Sequence, residues 1–296
     1  MTNLKATSSL LNLKAPTVLL MGPPGSGKTT SLVTLLSAGI EVFDIITEPN
    51  GLDAILDAIR RAPNSEELMS RFHWHVVSAR AAGWNALRKA AKDIGSMSFK
   101  DLKFMKPEKT ADVMIELQDT CKDFTCARTG AHFGDVSTWD DKRALVIDSL
   151  SGVNEICRTL VVGFKPSPDV GEWGVMVGQE YNFIYQLLFE CDCFFVVTAH
   201  INRTADEITG ATQITPAAMT YPFSGKIGKD FSEVILAHRI KDKFSWSTSE
   251  TNADVKNRAL PISDSLSPDF AAIVSAHRAR VESITSAQSM PASPAL

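Results

Sequence analysis

Apolar residues occur in short unbroken runs, and most runs stop at a glycine, proline or acidic residue. Residues 17–21 (TVLLM) lead straight into Gly-Pro-Pro-Gly, which predicts a strand buried on both faces of a parallel sheet and closed by a glycine-rich turn. In 28–38 the apolar positions Leu32, Val33, Leu35 and Leu36 recur at helical spacing, and Gly39 ends the helix. A second strand follows at 42–47 (VFDIIT) and an amphipathic helix at 52–61. Residues 72–77 (FHWHVV) then predict a third strand and 84–94 a helix. Strand alternating with helix is the signature of a wound α/β fold.

Between 95 and 141 this alternation gives way to Lys, Asp, Thr, Gly and scattered aromatics, so the stretch reads as an insertion or small subdomain. The pattern resumes with a buried strand at 144–147 (ALVI), a helix at 153–162, a loop at 164–172, a long helix at 173–190 and a strand at 193–199 (CFFVVTA). Residues 201–222 lack periodicity and predict a long mobile loop. Short strands at 234–240, 244–248 and around 256–262 close the sheet. Residues 1–15 read as a tail, 16–282 as one domain, and 283–296 (SITSAQSMPASPAL) have the composition of a disordered tail.

The turn after the first strand carries the strongest chemical signal. Gly22-Pro23-Pro24-Gly25-Ser26-Gly27-Lys28-Thr29 satisfies the P-loop pattern G-x-x-x-x-G-K-[ST] between a strand and a helix. Backbone N–H groups there converge on phosphates, Lys28 neutralises the β- and γ-phosphates, and the Thr29 hydroxyl is suited to Mg²⁺. The predicted nucleotide site runs from Gly22 to Thr30. Such a site needs an acidic residue at the end of a neighbouring buried strand to hold the metal through water, and Asp148 in ALVIDSLSG fits. Glu48 ends the second strand at the same rim and is the candidate base for water. His200 closes the strand 193–199 and is positioned to sense a γ-phosphate.

Thirty Lys and Arg against 34 Asp and Glu in 296 residues give a net charge of −4, which excludes a uniformly basic surface coating nucleic acid. Local patches are another matter. Residues 88–109 hold Arg88, Lys89, Lys92, Lys100, Lys103, Lys106 and Lys109 against Asp93, Asp101 and Glu108, a local net of +4 with Phe99 and Phe104 interleaved. Phosphate contact and base stacking are the chemistry such a patch offers, and a solvated basic face is the alternative. No apolar run reaches membrane-spanning length and no signal-peptide pattern opens the chain, so a soluble intracellular protein with five reduced cysteines is expected. Cys121, Cys126 and His132 suggest zinc only weakly, because a fourth ligand is missing and the spacings are poor.

With GPPGSGKTT, the strand-end Glu48, LVIDSLSG, FFVVTAH and a late VKNR in this order, the chain resembles the RecA-like ATPases, most closely the short, core-only RecA-like proteins encoded by phages. The similarity runs over about 16–261. It implies a RecA-like P-loop NTPase, an α/β fold with a mostly parallel central sheet flanked by helices and an insertion around 95–141. It also implies Mg²⁺-dependent ATP hydrolysis activated by Glu48, and a polar residue, here His200, that couples nucleotide to a DNA-binding loop containing Arg203. Lys256 and Arg258 look like the basic pair that acts on a neighbouring subunit's ATP. The implied partners are further copies in a ring or filament, single-stranded DNA and a phage single-strand-binding protein, in the cytoplasm of a bacterial host, in recombination, annealing or repair. A nucleotide-dependent assembly switch binding a phage protein and a small-molecule kinase stay open as alternatives.

Overall fold

The computed structural model describes residues 13–48, 50–79, 84–98, 100–101, 111–163, 168–205, 212–219 and 221–288. In chain order the elements are β1 (Thr17–Met21), α1 (Lys28–Ser31), α2 (Val33–Ser37), β2 (Glu41–Ile46), α3 (Gly51–Arg61), α4 (Ser65–Ser70), β3 (Phe72–Val76), α5 (Trp84–Ser96), α6 (Asp112–Lys122), β4 (Arg143–Asp148), α7 (Leu150–Val161) and α8 (Val170–Glu190). They continue with β5 (Phe194–Ala199), β6 (Ile201–Ala205), β7 (Thr212–Pro216), α9 (Tyr221–Ile227), β8 (Glu233–Ile240), β9 (Lys243–Ser247) and α10 (Ala271–Gln288).

Seven strands form one sheet in the order β3-β2-β4-β5-β1-β8-β9, parallel except for the β8–β9 pair. The protein is therefore an α/β fold with a mostly parallel sheet between helices. Because side chains alternate across a strand, the unbroken apolar runs supply two cores. Leu19, Phe43, Ile45, Leu145, Ile147, Phe195 and Val197 face one side, where α6, α7 and α8 cover them. Val18, Leu20, Val42, Val146 and Val196 face the other, under Leu32, Leu35 and Leu36, the α3 residues Ile55 and Ile59, and Ile273 and Val274 of α10.

The helix after the glycine turn is interrupted at Leu32. Ser31 and Thr34 return their hydroxyls to the carbonyls of Lys28 (2.6 Å) and Ser31 (2.7 Å), the kind of back-bonding that tightens and bends helices. Residues 164–172 are not all loop: α8 begins at Val170 behind a capping box in which the Asp169 amide donates to Glu172 (2.7 Å). The segment expected to be a mobile loop holds an antiparallel hairpin instead, β6 paired with β7 from Ile201↔Pro216 to Ala205↔Thr212. Around 256–262 there is no strand, only a single bridge from Lys256 to Val234. Helix α10 was not predicted, and it extends into the segment read as a tail.

The stretch that broke the alternation is fastened to the sheet by aromatic packing. Phe43 of β2 contacts Phe124 at 5.2 Å, Phe133 at 4.8 Å and Trp139 at 4.3 Å between ring centroids, and the Arg143 guanidinium lies 5.3 Å from the Phe43 ring. Phe43 and Phe124 are fully buried, each worth about 1.5–3 kcal/mol relative to exposure. Among the described residues, no helix is long and apolar enough to cross a membrane.

Candidate functional site

The parallel sheet collects the carboxyl ends of β1, β5, β4 and β2 at one rim, the edge where open α/β sheets carry their ligand crevice. Met21 pairs with Ala199, and Ile46 pairs with Asp148, so the glycine turn, Asp148, Glu48 and His200 follow from adjacent strand ends. Asp148 is not on the immediate neighbour of β1, as the sequence suggested. Strand β5 lies between them and contributes Thr198 to the gap.

The loop Gly22–Gly27 is shaped by close approach. Gly25 and Gly27 have φ of 73° and 83°, the left-handed region in which a β-carbon is disfavoured. A β-carbon on Gly22 would sit 2.6 Å from the Ala237 carbonyl, and one on Gly27 would sit 2.9 Å from Cδ1 of Phe244. Lys28 is buried, and its Nζ donates to the loop's own carbonyls, Gly22 O at 2.8 Å and Pro23 O at 3.1 Å. Burial lowers its pKa, against the pull of Asp148 and Glu48. The Ser26 hydroxyl is buried with no hydrogen-bond partner among the described residues.

Asp148 is the centre of the site. Thr29 donates to its Oδ2 at 2.7 Å and Thr198 donates to its Oδ1. Burial raises its pKa, and those two hydroxyls, with Lys28, oppose the rise. Next to it the Ser149 hydroxyl donates to Oε1 of Glu48, and His200 Nε2 lies 3.5 Å from the same oxygen. The His200 contact holds the Glu48 carboxyl below the usual range, assisted by Ser149 and against partial burial. A carboxylate with this surround is ionised at neutral pH.

Thr47 locks the two strand ends together. Its amide donates to Asp148 O (2.8 Å), its hydroxyl donates to Ser149 O (2.7 Å), and that hydroxyl accepts from the Ser149 amide (2.8 Å). Helix α7 approaches so closely that a β-carbon on Gly152 would fall 2.2 Å from the Thr47 hydroxyl. Glu48 is thus carried on a rigid corner.

Sequence reasoning missed Thr47, Ser149 and Thr198, and also two residues from the far side of the loop. Arg239 of β8 sends Nη1 to within 3.8 Å of a Gly25 β-carbon position, and its guanidinium lies 5.4 Å from the Phe244 ring of β9. Asp44 was missed as well. It is fully buried on β2, and neither carboxylate oxygen has a partner among the described residues. Burial, then the Asp148 charge, raises its pKa well above the usual range.

Other predicted residues lie elsewhere. Lys256 and Arg258 line a cavity of about 380 Å³ with Thr17 and Glu233, at the strand ends opposite the glycine loop. The Lys256 ammonium is held by the carbonyls of Lys229 (2.8 Å) and Phe231 (2.7 Å), and the Arg258 amide donates to Glu233 (3.0 Å). Arg88, Lys89 and Lys92 are exposed on α5, where Trp84, Arg88 and Lys92 recur every four residues, and Trp84 is 80% exposed. Lys100 is exposed and Arg203 is exposed on β6. Lys103, Lys106, Lys109, Phe99 and Phe104 lie outside the described residues. Cys121 and Cys126 are buried, and burial pushes the Cys121 thiol up to about 12; His132 is paired with Asp123 at 2.8 Å. Among the described residues no group of three or more His, Cys, Asp or Glu is arranged for a metal ion.

The rim joins a buried ammonium, a hydroxyl–carboxylate pair fit for a hard cation, and an ionised carboxylate, around a loop that has no room for a β-carbon at Gly22 or Gly27. That donor set suits phosphate with a divalent metal of oxygen preference. No protein-family model matches the chain, and no curated protein matches it. Among solved structures it is similar to one described as the crystal structure of the RadB recombinase, at 15% identity over 84% of this chain and 85% of that one, with a TM-score of 0.42.

Proposed function

We propose that the chain is a RecA-like ATPase that binds Mg-ATP at Gly22–Thr30, hydrolyses it, and works on single-stranded DNA as an assembly of its own copies. The observation that carries this reading is the convergence of Lys28, the Thr29–Asp148 pair and the braced Glu48 on one rim.

In this reading a triphosphate draws the Lys28 ammonium away from the carbonyls of Gly22 and Pro23, and backbone amides of the loop hold the phosphates. Thr29 and Asp148 are the residues that would hold Mg²⁺, which would supply positive charge to the phosphate oxygens. Glu48 orients and deprotonates the attacking water. Its ionised state suits a hydrogen-bond acceptor for water, and Ser149 and His200 fix its direction. His200 links that carboxylate to the β6–β7 hairpin, because its carbonyl accepts from the Ala217 amide at 2.8 Å. Lys256 and Arg258, remote from their own loop, serve the nucleotide of a neighbouring copy. Trp84, Arg88 and Lys92 offer one stacking surface and two phosphate contacts in a single stripe, with Arg203 on the hairpin as a further contact.

The test is ATP turnover with and without single-stranded DNA at low salt. The wild-type chain turns ATP over without an added acceptor, DNA raises the rate, and added salt erases the increase. Turnover in Lys28→Ala equal to wild type, or turnover indifferent to DNA, contradicts the reading.

A further inference from the structure

The β8–β9 hairpin is brought to the glycine loop by strand register. Strand β8 runs parallel to β1 with Met21 opposite Leu236. Ala237 therefore stands beside Gly22, and its carbonyl lies 2.6 Å from a β-carbon position there. Side chains two apart on a strand share a face. Ala237 packs in the core with Leu32 and Leu35, so Arg239 leaves the sheet on the side where the loop enters α1. Its Nη1 lies 3.8 Å from a Gly25 β-carbon position. Three contacts fix the side chain there. Nε donates to the Lys241 carbonyl at 3.0 Å, and the guanidinium lies 5.4 Å from the centre of the Phe244 ring. That ring in turn abuts the loop, with Cδ1 2.9 Å from a Gly27 β-carbon position. Lys241, which supplies the carbonyl, has a φ of 56°, a conformation uncommon for a residue with a side chain.

We infer that Arg239 is a phosphate-binding residue that serves the nucleotide of its own chain. The inference rests on the reading of the glycine loop as a nucleotide site. Among the described residues no carboxylate pairs with this guanidinium, and the hydrogen bond it makes uses Nε, which leaves the Nη groups to fork onto an oxyanion. Lys28 and the loop amides approach a polyphosphate from α1, and Arg239 approaches from β8, so positive charge stands on both flanks of the loop. A planar guanidinium matches phosphate oxygens two at a time, where an ammonium acts as a point charge. A side chain already held at Nε and stacked on a ring also loses little freedom when it binds. Its place sets it apart from Lys256 and Arg258, which lie at the opposite strand ends. The chain thus carries a second cation for the phosphates that does not depend on a neighbouring copy.

The test compares ATP and ADP affinity in the wild-type chain, Arg239→Gln, Arg239→Lys and Lys28→Ala. Arg239 is exposed, and glutamine keeps part of the stem over Phe244, so the nucleotide-free denaturation midpoint should not move. We expect Arg239→Gln to weaken ATP binding by about tenfold or more, and Arg239→Lys to recover part of that loss because it keeps the charge. A residue that only supported the hairpin would give no such recovery. Mixing Arg239→Gln with Lys28→Ala chains then separates the two sources of the guanidinium. Turnover should stay at the Arg239→Gln level, whereas recovery would mean that Arg239 serves a neighbouring copy and would overturn the inference. ATP binding lost in Lys28→Ala but unchanged in Arg239→Gln overturns the inference alone. ATP binding absent in wild type, or unchanged in Lys28→Ala, overturns the nucleotide reading of the loop and this inference with it.

Discussion

The Thr29 hydroxyl donates to Oδ2 of Asp148 at 2.7 Å, joining the helix that follows the glycine loop to the end of a strand two places away in the sheet. With Thr198 on the other oxygen, a nearly dry carboxyl is supported from β5 and from α1. Thr29→Val leaves that side of Asp148 without a donor, which costs about 1–3 kcal/mol. Chemical denaturation without nucleotide should show this loss, and Thr29→Ser should recover most of it. A Thr29→Val chain as stable as wild type would mean that the bond carries no weight.

Glu180 gives a pH dependence of defined sign. It is buried in α8, accepts from the Met219 amide at 3.0 Å, and burial raises its carboxyl to about 8. An unfolded glutamate titrates near 4.3. Between these values the folded chain holds the extra proton, so this group's contribution is full at low pH and is lost as pH rises towards 8. Glu180→Gln keeps an acceptor for Met219 and abolishes the titration. Denaturation midpoints at pH 5 and pH 8 should differ between the two chains by a change of roughly 2–4 kcal/mol, with wild type losing more. Parallel pH profiles would refute it.

Asp44 should be a stability cost. Its two carboxylate oxygens lack partners among the described residues, inside an apolar layer, and burial, then the Asp148 charge, raises its pKa well above the usual range, which favours the protonated acid. Asp44→Leu, which keeps the number and branching of side-chain heavy atoms but is apolar, is expected to raise stability by about 1–3 kcal/mol. The gain should grow as pH rises from about 4, because wild type alone must then keep a proton that the unfolded chain releases. Thermal unfolding across pH measures both effects.

Two separate penalties meet at Gly27. Its φ of 83° is unfavourable for an L side chain, and Phe244 occupies the space a β-carbon would need. Gly27→Ala should cost about 1–2 kcal/mol from the backbone alone, with the clash added. In a double-mutant cycle, Phe244→Ala should remove the clash and leave the backbone part. Strict additivity of the two substitutions would show that the ring moves aside freely.

Much of the rim is legible in the sequence because parallel strands buried on both faces read as unbroken apolar runs. TVLLM, VFDIIT, ALVI and CFFVVTA therefore deliver the loop, Glu48, Asp148 and His200 to one edge. What escaped depends on neighbours in space. Thr198 matters because β5 lies between β1 and β4, and strand order is not written in any one run. Arg239 and Phe244 reach the loop only because β8 turns back into β9. The β6–β7 hairpin has few buried positions, so its residues show no period of two. Helix α10 is rich in Ala and Ser around a narrow buried edge of Ile273, Val274 and His277, too weak a stripe to stand out. The aromatics of 123–139 carry no periodicity because they pack as a cluster on Phe43.

The central claim is that Glu48, braced by Ser149 and His200, activates water for attack on ATP held at the glycine loop. The most direct measurement is Glu48→Gln, with ATP affinity and turnover determined on the same preparation. Affinity should stay within a few-fold of wild type, because Lys28, Thr29 and Asp148 are untouched, while turnover should fall by about 10²-fold or more. Turnover within a few-fold of wild type in Glu48→Gln would contradict the account.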